Sequence, residues 1–434
     1  MSWAFLVLSV AGAAFTVNAF FPRRGRYSRL PAFFASWLTI ELAPHLLVLH
    51  AIGTALFVWA GVLDTWPGRI GLVLAVGAAA GLVLTIAQSR HSAVTMRDAL
   101  ADLVGPERGP RVPMTEVLLP FRAKRPGVKR IRNIAYRRVA GRTLRLDVYQ
   151  PGAPGERRPA ILQIHGGGWV LGDKREQGIP LLNHLAVNGW VGFNANYRLA
   201  PGATFPDQLI DLKCALAWIR EHADEYGVDR DFVCVTGGSA GGHLTALVAL
   251  TANDPTYQPG FAGADTSVRA AVPFYGVYDF TDRQGLQEPE FFSWFLEPLV
   301  MKAFIAEEPE KFAAASPIDQ VHADAPPMLI IHGDRDTLVP VEDARLFVTH
   351  LDEASEAPVL YAELHGSQHA FDVFASIRTS AAIEGVERFL TWVHEGYLEE
   401  RAGATDDAEA DQKVEPEALP EDLAEEPATS PSPG

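Results

Sequence analysis

The sequence predicts an α/β protein, a mostly parallel sheet flanked by helices, preceded by an N-terminal segment of transmembrane helices. Three observations point there. The opening ninety residues are far more apolar than the rest and break at polar or Pro-containing joints, the pattern of spanning helices rather than of a soluble core. From residue 130 onward, short apolar runs alternate with helical patterns, which implies a sheet covered on both faces. The chain has 434 residues, long for one core, since a single core seldom grows past roughly 250–300 residues.

Taken in order, residues 1–90 form a membrane domain with about three spans, at residues 3–21, 44–63 and 70–87. Each is near the roughly 20 residues that about 30 Å of hydrocarbon requires. The third carries no ionisable side chain and contains Gly77 and Gly81, whose lack of side chains would let a neighbouring helix approach. Basic residues follow the first span (Arg23, Arg24, Arg26, Arg29) and the third (Arg90, Arg97), so the positive-inside rule puts the N-terminus outside and everything after the third span in the cytoplasm. A cleaved signal peptide is the rival reading of residues 2–21, but no basic stretch precedes the apolar run and two more spans follow. Glu41, His45 and His50 lie near the start of the second span and read as interfacial anchors.

Residues 91–128, rich in Pro, Arg and Gly, read as a linker to an α/β domain at 129–398. Strand-like runs occur at 131–138, 143–150, 160–164, 190–194, 232–236, 269–274, 328–332 and 359–364, and a last helix at about 376–398. An insertion at about 280–315, with Phe291, Phe292, Trp294, Phe295 and Phe304, stands where a cap over the site, or a helix packed on the sheet, would lie. Residues 399–434 have the composition of a disordered acidic tail.

The net charge is −16, from 37 Lys plus Arg and 53 Asp plus Glu, which argues against nucleic-acid binding. Half of it lies in residues 401–434, where ten acidic residues face Arg401 and Lys413, a balance of −8. Cys214 and Cys234 lack metal-ligand spacing and read as ordinary thiols.

The chemistry is concentrated in four places. Gly237-Gly238-Ser239-Ala240-Gly241 follows an apolar run and precedes a helical one. A strand, a sharp turn and a helix are what a nucleophile elbow needs: Ser239 sits on the turn, and the amide of Ala240 points at the same space from a helix N-terminus. Upstream, His165-Gly166-Gly167-Gly168-Trp169 follows another strand, where consecutive glycines let backbone N–H groups face an oxyanion. A serine nucleophile needs a base and an acid to orient it. Asp336, with Asp334 as its competitor, follows the strand at 328–332, and His369, with His365 as the fallback, follows the strand at 359–364.

These motifs resemble the α/β-hydrolase esterases and lipases that carry an H-G-G-G motif, including the hormone-sensitive-lipase-like and kynurenine-formamidase-like groups and membrane-anchored bacterial carboxylesterases. The resemblance covers about residues 130–398 and extends to Asn196-Tyr-Arg-Leu-Ala-Pro201 and Phe205-Pro-Asp207. Gly238 stands where hormone-sensitive-lipase-like enzymes usually carry Asp. The resemblance implies an α/β-hydrolase fold, a triad of Ser239, Asp336 and His369, and oxyanion donors Gly166, Gly167 and Ala240.

The expected activity is hydrolysis of carboxylic esters, short- to medium-chain or lipophilic, through an acyl-enzyme, with the lipid bilayer as partner of the N-terminal helices. No metal or organic cofactor is called for, and the sequence leaves the oligomeric state open. An amidase, deacetylase or peptidase could use the same triad, an acyltransferase could replace water by an alcohol, and a binding protein could reuse the fold.

Overall fold

The computed structural model describes residues 1–412 except 24, 26, 106–110, 123, 154 and 156. Residues 1–393 and 394–434 form separate units, and everything below concerns the first unless stated.

At the N-terminus, helices α1 (Ser2–Phe20), α2 (Arg29–Glu41), α3 (Ala43–Trp59) and α4 (Trp66–Ala99) precede the sheet. α1 and α4 are each long and apolar enough to cross a membrane, and the pair α2 and α3, bent by 86°, passes the same test only if taken together. Two expectations change here. The third span was placed at 70–87, but α4 runs on to Ala99, because nothing between Gln88 and Ala99 is Gly or Pro. The linker expected at 91–128 therefore begins with helix, and it contains a further helical turn at Met114–Leu118.

The seam of α4 consists, apart from Leu82, of small residues at heptad spacing, with Gly71, Ala75, Ala78, Leu82, Thr85, Ser89 and Ser92 buried and Val73, Val76, Val83 and Leu84 exposed. A Cβ on Gly71 would lie 2.9 Å from the Phe5 ring, and one on Gly81 would collide with Thr16, whereas one on Gly77 would meet nothing. Only Gly81 of the two glycines singled out above therefore serves close helix approach.

Strands β1 (Val128–Val139), β2 (Arg142–Pro151), β3 (Arg158–Ile164), β4 (Val191–Ala195), β5 (Val228–Gly238), β6 (Ala271–Phe274), β7 (Met328–Gly333) and β8 (Val359–Leu364) fall on the eight expected runs. They form one sheet in the order β1-β2-β4-β3-β5-β6-β7-β8, antiparallel at the β1–β2 and β2–β4 pairs and parallel from β4 to β8. The covering helices include α5 (Ile179–Val187), α6 (Asp207–Glu221), α7 (Ala240–Leu250) and α8 (Val341–Ala354), and a last helix, α9 (Ile377–Gln412), follows β8 in the chain.

β3 and β5, central in the sheet, are buried nearly throughout, as strands covered on both faces must be. The parallel strands bring the residues after β3, β5, β6, β7 and β8 to one edge, which positions the site. α9 continues through Gln412, so the tail expected to be disordered from 399 begins as helix. Residues 399–412 contain no Pro and are rich in Glu and Ala; the rest of that expectation, at 413–434, lies outside the described residues.

Candidate functional site

Ser239 occupies the turn between β5 and α7 with φ 60° and ψ −124°, a conformation costly for any residue with a side chain and held here by its surroundings. Its amide donates to the Phe274 carbonyl at 3.0 Å. The neighbouring glycines leave no room for side chains: a Cβ on Gly237 would lie 2.5 Å from the Ile164 carbonyl oxygen and one on Gly238 2.5 Å from the Tyr275 hydroxyl. Tyr275, buried just past β6, thus leaves no room for a side chain at position 238.

After β7 the carboxylate of Asp336 is buried. One oxygen accepts from the amides of Leu338 and Val339, each at 2.8 Å, and the other from His369 Nδ1 at 2.6 Å. His332, on β7, brings Nε2 to 3.3 Å from the same oxygen. Burial by itself would raise the Asp336 pKa, but the charge of His369 and the hydrogen bonds from His332 and His369 outweigh it and hold the carboxyl well below its usual range. The Nδ1 bond orients the imidazole so that Nε2 is left to act. The Ser239 hydroxyl makes no hydrogen bond among the described residues, so the bond to His369 is not formed in this resting geometry; such bonds often tighten only with substrate.

The two rival residues partner each other instead. Asp334 Oδ2 meets His365 Nδ1 at 2.6 Å, on a half-exposed rim.

The glycine loop after β3 requires a correction. The Gly166 amide, expected among the oxyanion donors, donates to Gln177 Oε1 at 2.6 Å and is already used. The amides of Gly167 and Gly168, at φ 113° and 58°, make no hydrogen bond among the described residues, nor does that of Ala240 at the start of α7. The loop is close to the nucleophile, since a Cβ on Gly166 would lie 3.0 Å from Ser239 Cβ. Nothing in the spacing of consecutive glycines distinguishes which amide a glutamine eleven residues downstream will take.

Trp169 closes the loop: its indole N–H donates to His243 Nδ1 at 3.1 Å, while His243 Nε2 donates to the Ala315 carbonyl at 2.7 Å. Burial lowers the His243 pKa to about 4, against the hydrogen bond to Ala315, so this imidazole is neutral. From the insertion, which carries a wide helical stretch at Phe292–Met301, Phe295 packs on Trp169 with ring centroids 6.5 Å apart and fills the space beside Gly168.

Several contributors were missed. The Tyr275 ring lies 4.6 Å from that of His369, and its hydroxyl donates to Asp372. Gln368 Oε1 accepts from the amides of Thr337 at 2.8 Å and His369 at 2.9 Å, tying the acid loop to the base loop. From the N-terminal region, the ring of Phe33 on α2 lies in a T-shaped arrangement with that of His369, centroids 6.2 Å apart. The adjacency of Gln368 to His369 was the available signal; nothing local marked Phe33. Glu41 is not an interfacial anchor: it is buried, paired with Arg378 at 2.6 Å and accepting from the Ser376 hydroxyl at 2.6 Å. No group of three or more His, Cys, Asp or Glu side chains suited to a metal occurs among the described residues, and Cys214 and Cys234 are free thiols.

A strained serine at a strand-to-helix turn, an imidazole held on a buried carboxylate and unengaged amides at one sheet edge define a serine hydrolase of the α/β-hydrolase fold. The comparisons with known proteins name the group. The BD-FAE family model matches residues 146–351. The probable carboxylic ester hydrolase LipM of Mycobacterium tuberculosis is 40% identical over 92% of this chain and 94% of its own length, and esterase LipQ of the same organism is 43% identical over 61% of this chain and 63% of its own. Among solved structures, Thermogutta terrifontis esterase 2 with butyrate bound is similar at a TM-score of 0.52 and 28% identity, over 61% of this chain and 94% of that one. The same esterase phosphoramylated by tabun gives 0.51 and 28%, over the same shares. The chain belongs to the α/β-hydrolase esterases and lipases of the hormone-sensitive-lipase-like type, and it is a serine ester hydrolase.

Proposed function

We propose that this protein is a membrane-anchored carboxylesterase that hydrolyses lipophilic or short- to medium-chain esters through Ser239, His369 and Asp336. The observation that carries the reading is the strained Ser239 turn at the same sheet edge as an imidazole held at 2.6 Å on the buried Asp336 carboxylate. His369 Nε2 removes the Ser239 proton as Oγ attacks the ester carbonyl carbon, while Nδ1–H stays on Asp336. The amides of Gly167, Gly168 and Ala240 meet the charge developing on the carbonyl oxygen; one such donor is worth about 3–4 kcal/mol in other hydrolases. The intermediate then expels the alcohol, which takes the proton from Nε2. Water, deprotonated by the same nitrogen, cleaves the acyl-enzyme to the carboxylic acid and restores Ser239.

The butyrate held by the Thermogutta esterase is consistent with a short acyl group. Anchoring is supported by α1 and α4; the third crossing is assigned to α3, an apolar helix of 17 residues, at the short end of the roughly 17–25 that span a bilayer, with Glu41 just before its catalytic-side end. Ser2 meets the carbonyl of Val62 at 3.4 Å at the far end of the bundle, and Arg335 of the catalytic domain meets the carbonyl of Ala19 at 3.1 Å at the near end. With Arg29, Arg90 and Arg97 also on the catalytic side, the positive-inside rule puts the catalytic domain in the cytoplasm of a multi-pass protein; a reporter fused after residue 400 and active outside the cell would reverse that. The nucleophile is tested with Ser239→Ala, which is expected to lose fluorophosphonate labelling and ester turnover with an unchanged melting temperature. Undiminished labelling would remove Ser239 from the mechanism.

A further inference from the structure

Helix α2 has two faces of opposite use. Its inner face is built into the base loop. Ser36 Oγ accepts from Gln368 Nε2 at 2.9 Å, Trp37 Nε1 donates to the Ala370 carbonyl at 2.9 Å, and Phe33 borders His369.

The outer face is apolar and uncovered. Leu30, Phe34 and Leu38, at i, i+4 and i+8, are 58%, 53% and 40% exposed, and Pro31 is exposed between them. The helix carries charge only at its ends, Arg29 and Glu41. Alongside, Leu118, Leu119 and Phe121 are exposed as well; the Phe121 and Phe374 rings lie 5.2 Å apart, and Phe374 and Trp37 5.1 Å. Water is a poor partner for such a continuous apolar strip. Its occupant is indicated by continuity: α2 runs through Leu42 into α3 with a turn of 86°. If α3 stands across the bilayer, α2 lies nearly in the membrane plane, the position of an interfacial amphipathic helix.

We propose that α2 is an interfacial helix, with Leu30, Phe34 and Leu38 seated in the lipid and Phe33, Ser36 and Trp37 forming a wall of the catalytic site, so that the enzyme takes esters resident in the bilayer. This rests on the esterase reading above. One helix diameter, roughly 10–12 Å, then separates the catalytic imidazole from the acyl chains of the membrane. An ester drawn up beside α2 reaches Ser239 without its acyl chain crossing bulk water, and the wall it meets is aromatic.

The test uses the full chain in phosphatidylcholine vesicles with two substrates, dissolved p-nitrophenyl butyrate and a dioleoylglycerol embedded in the vesicles. The double variant Leu30→Ser and Leu38→Ser is expected to lose about tenfold on the embedded ester while keeping turnover of the dissolved one within about twofold. Equal losses on both esters, or none on the embedded one, would overturn the proposal. A nitroxide label on Leu38→Cys, with the signal of the labelled parent subtracted, is expected to be relaxed more by oxygen than by an aqueous nickel chelate, and the reverse order overturns it too. Failure of the esterase reading looks different: the parent protein would then hydrolyse neither ester.

Discussion

The sheet and the N-terminal helices bury different mixtures of residues, although the helices too bury some large apolar ones such as Phe5 and Leu82. Around the sheet, large apolar side chains such as Phe193, Phe232, Phe312 and Phe347 are inside. In the helical segment Ser9, Thr16, Thr39, Thr85, Ser89 and Ser92 are inside, with glycines and alanines between them, while Val7, Leu8, Phe15, Val73, Val76 and Leu84 are outside. The sheet domain is organised by expulsion of apolar surface from water. Where lipid tails are as apolar as leucine, helices gain instead from close approach and hydrogen bonds, which small and hydroxyl-bearing residues permit. The difference is the one expected between a helical segment packed against lipid and a domain packed against water, and the loop that carries His369 is held against that helical segment through Ser36 and Trp37.

That comparison can be broken at several places. The largest effect is expected inside the sheet domain: Asp336→Asn should lower kcat by up to about 10⁴ without loosening the helices, whereas Asp334→Asn, which only frees His365 at the rim, should change it little. Steady-state kinetics of both variants on one soluble ester decides between the two acids, and the reverse order of effects would exchange their roles.

At the junction, Glu41→Gln leaves Arg378 charged and buried. Breaking a buried pair in this way typically costs about 3–5 kcal/mol. A lowered melting temperature in detergent together with a fall in activity is expected, because Arg378 also donates to the carbonyls of His365 and Gly366 near His369. If stability falls and activity per folded molecule does not, the two regions are joined mechanically but not catalytically.

The smallest effect is on pH dependence. Burial lowers the pKa of both His165 and His243 to about 4, in each case against a hydrogen bond to a backbone carbonyl, Gly166 and Ala315 respectively. In the unfolded chain both would titrate near 6.5. Their folded pKa values are depressed, so the unfolded state binds more protons between these limits. The stability they contribute is complete above about pH 6.5 and declines as pH falls toward 4. Thermal unfolding across that window should show the decline, and His243→Asn should make it shallower; an unchanged slope would mean that His243 is not held neutral by the fold.

Much of this was legible beforehand, and unevenly. The strands and the Ser239 turn are local: a run of β-branched and apolar residues followed by Gly-x-Ser-x-Gly encodes its own backbone geometry within about ten residues. The preference for Asp336 over Asp334 rested on loop length alone, and the pairing of each acid with a different histidine is consistent with it. The glycine loop after β3 was legible, but not that its Gly166 amide is taken by Gln177, because that capture depends on how a following loop folds back. α2 went unnoticed between two spans, since thirteen residues with an apolar outer face and a mixed inner face match neither a spanning helix nor a water-soluble amphipathic one.

By itself, then, the sequence determined what depends on neighbours along the chain: apolar length sufficient for spanning helices, the alternation that builds the sheet, and the glycine turns that present Ser239 and the oxyanion loop. Tertiary structure alone decided which partners distant side chains take. Trp37 meets Ala370 across 333 positions, Glu41 meets Arg378 across 337 and Gln368 meets Ser36 across 332. The physical reason is that a hydrogen bond or ion pair stabilises only when both groups are already held in place. No local pattern records that such a second group, hundreds of residues away, has been brought within reach.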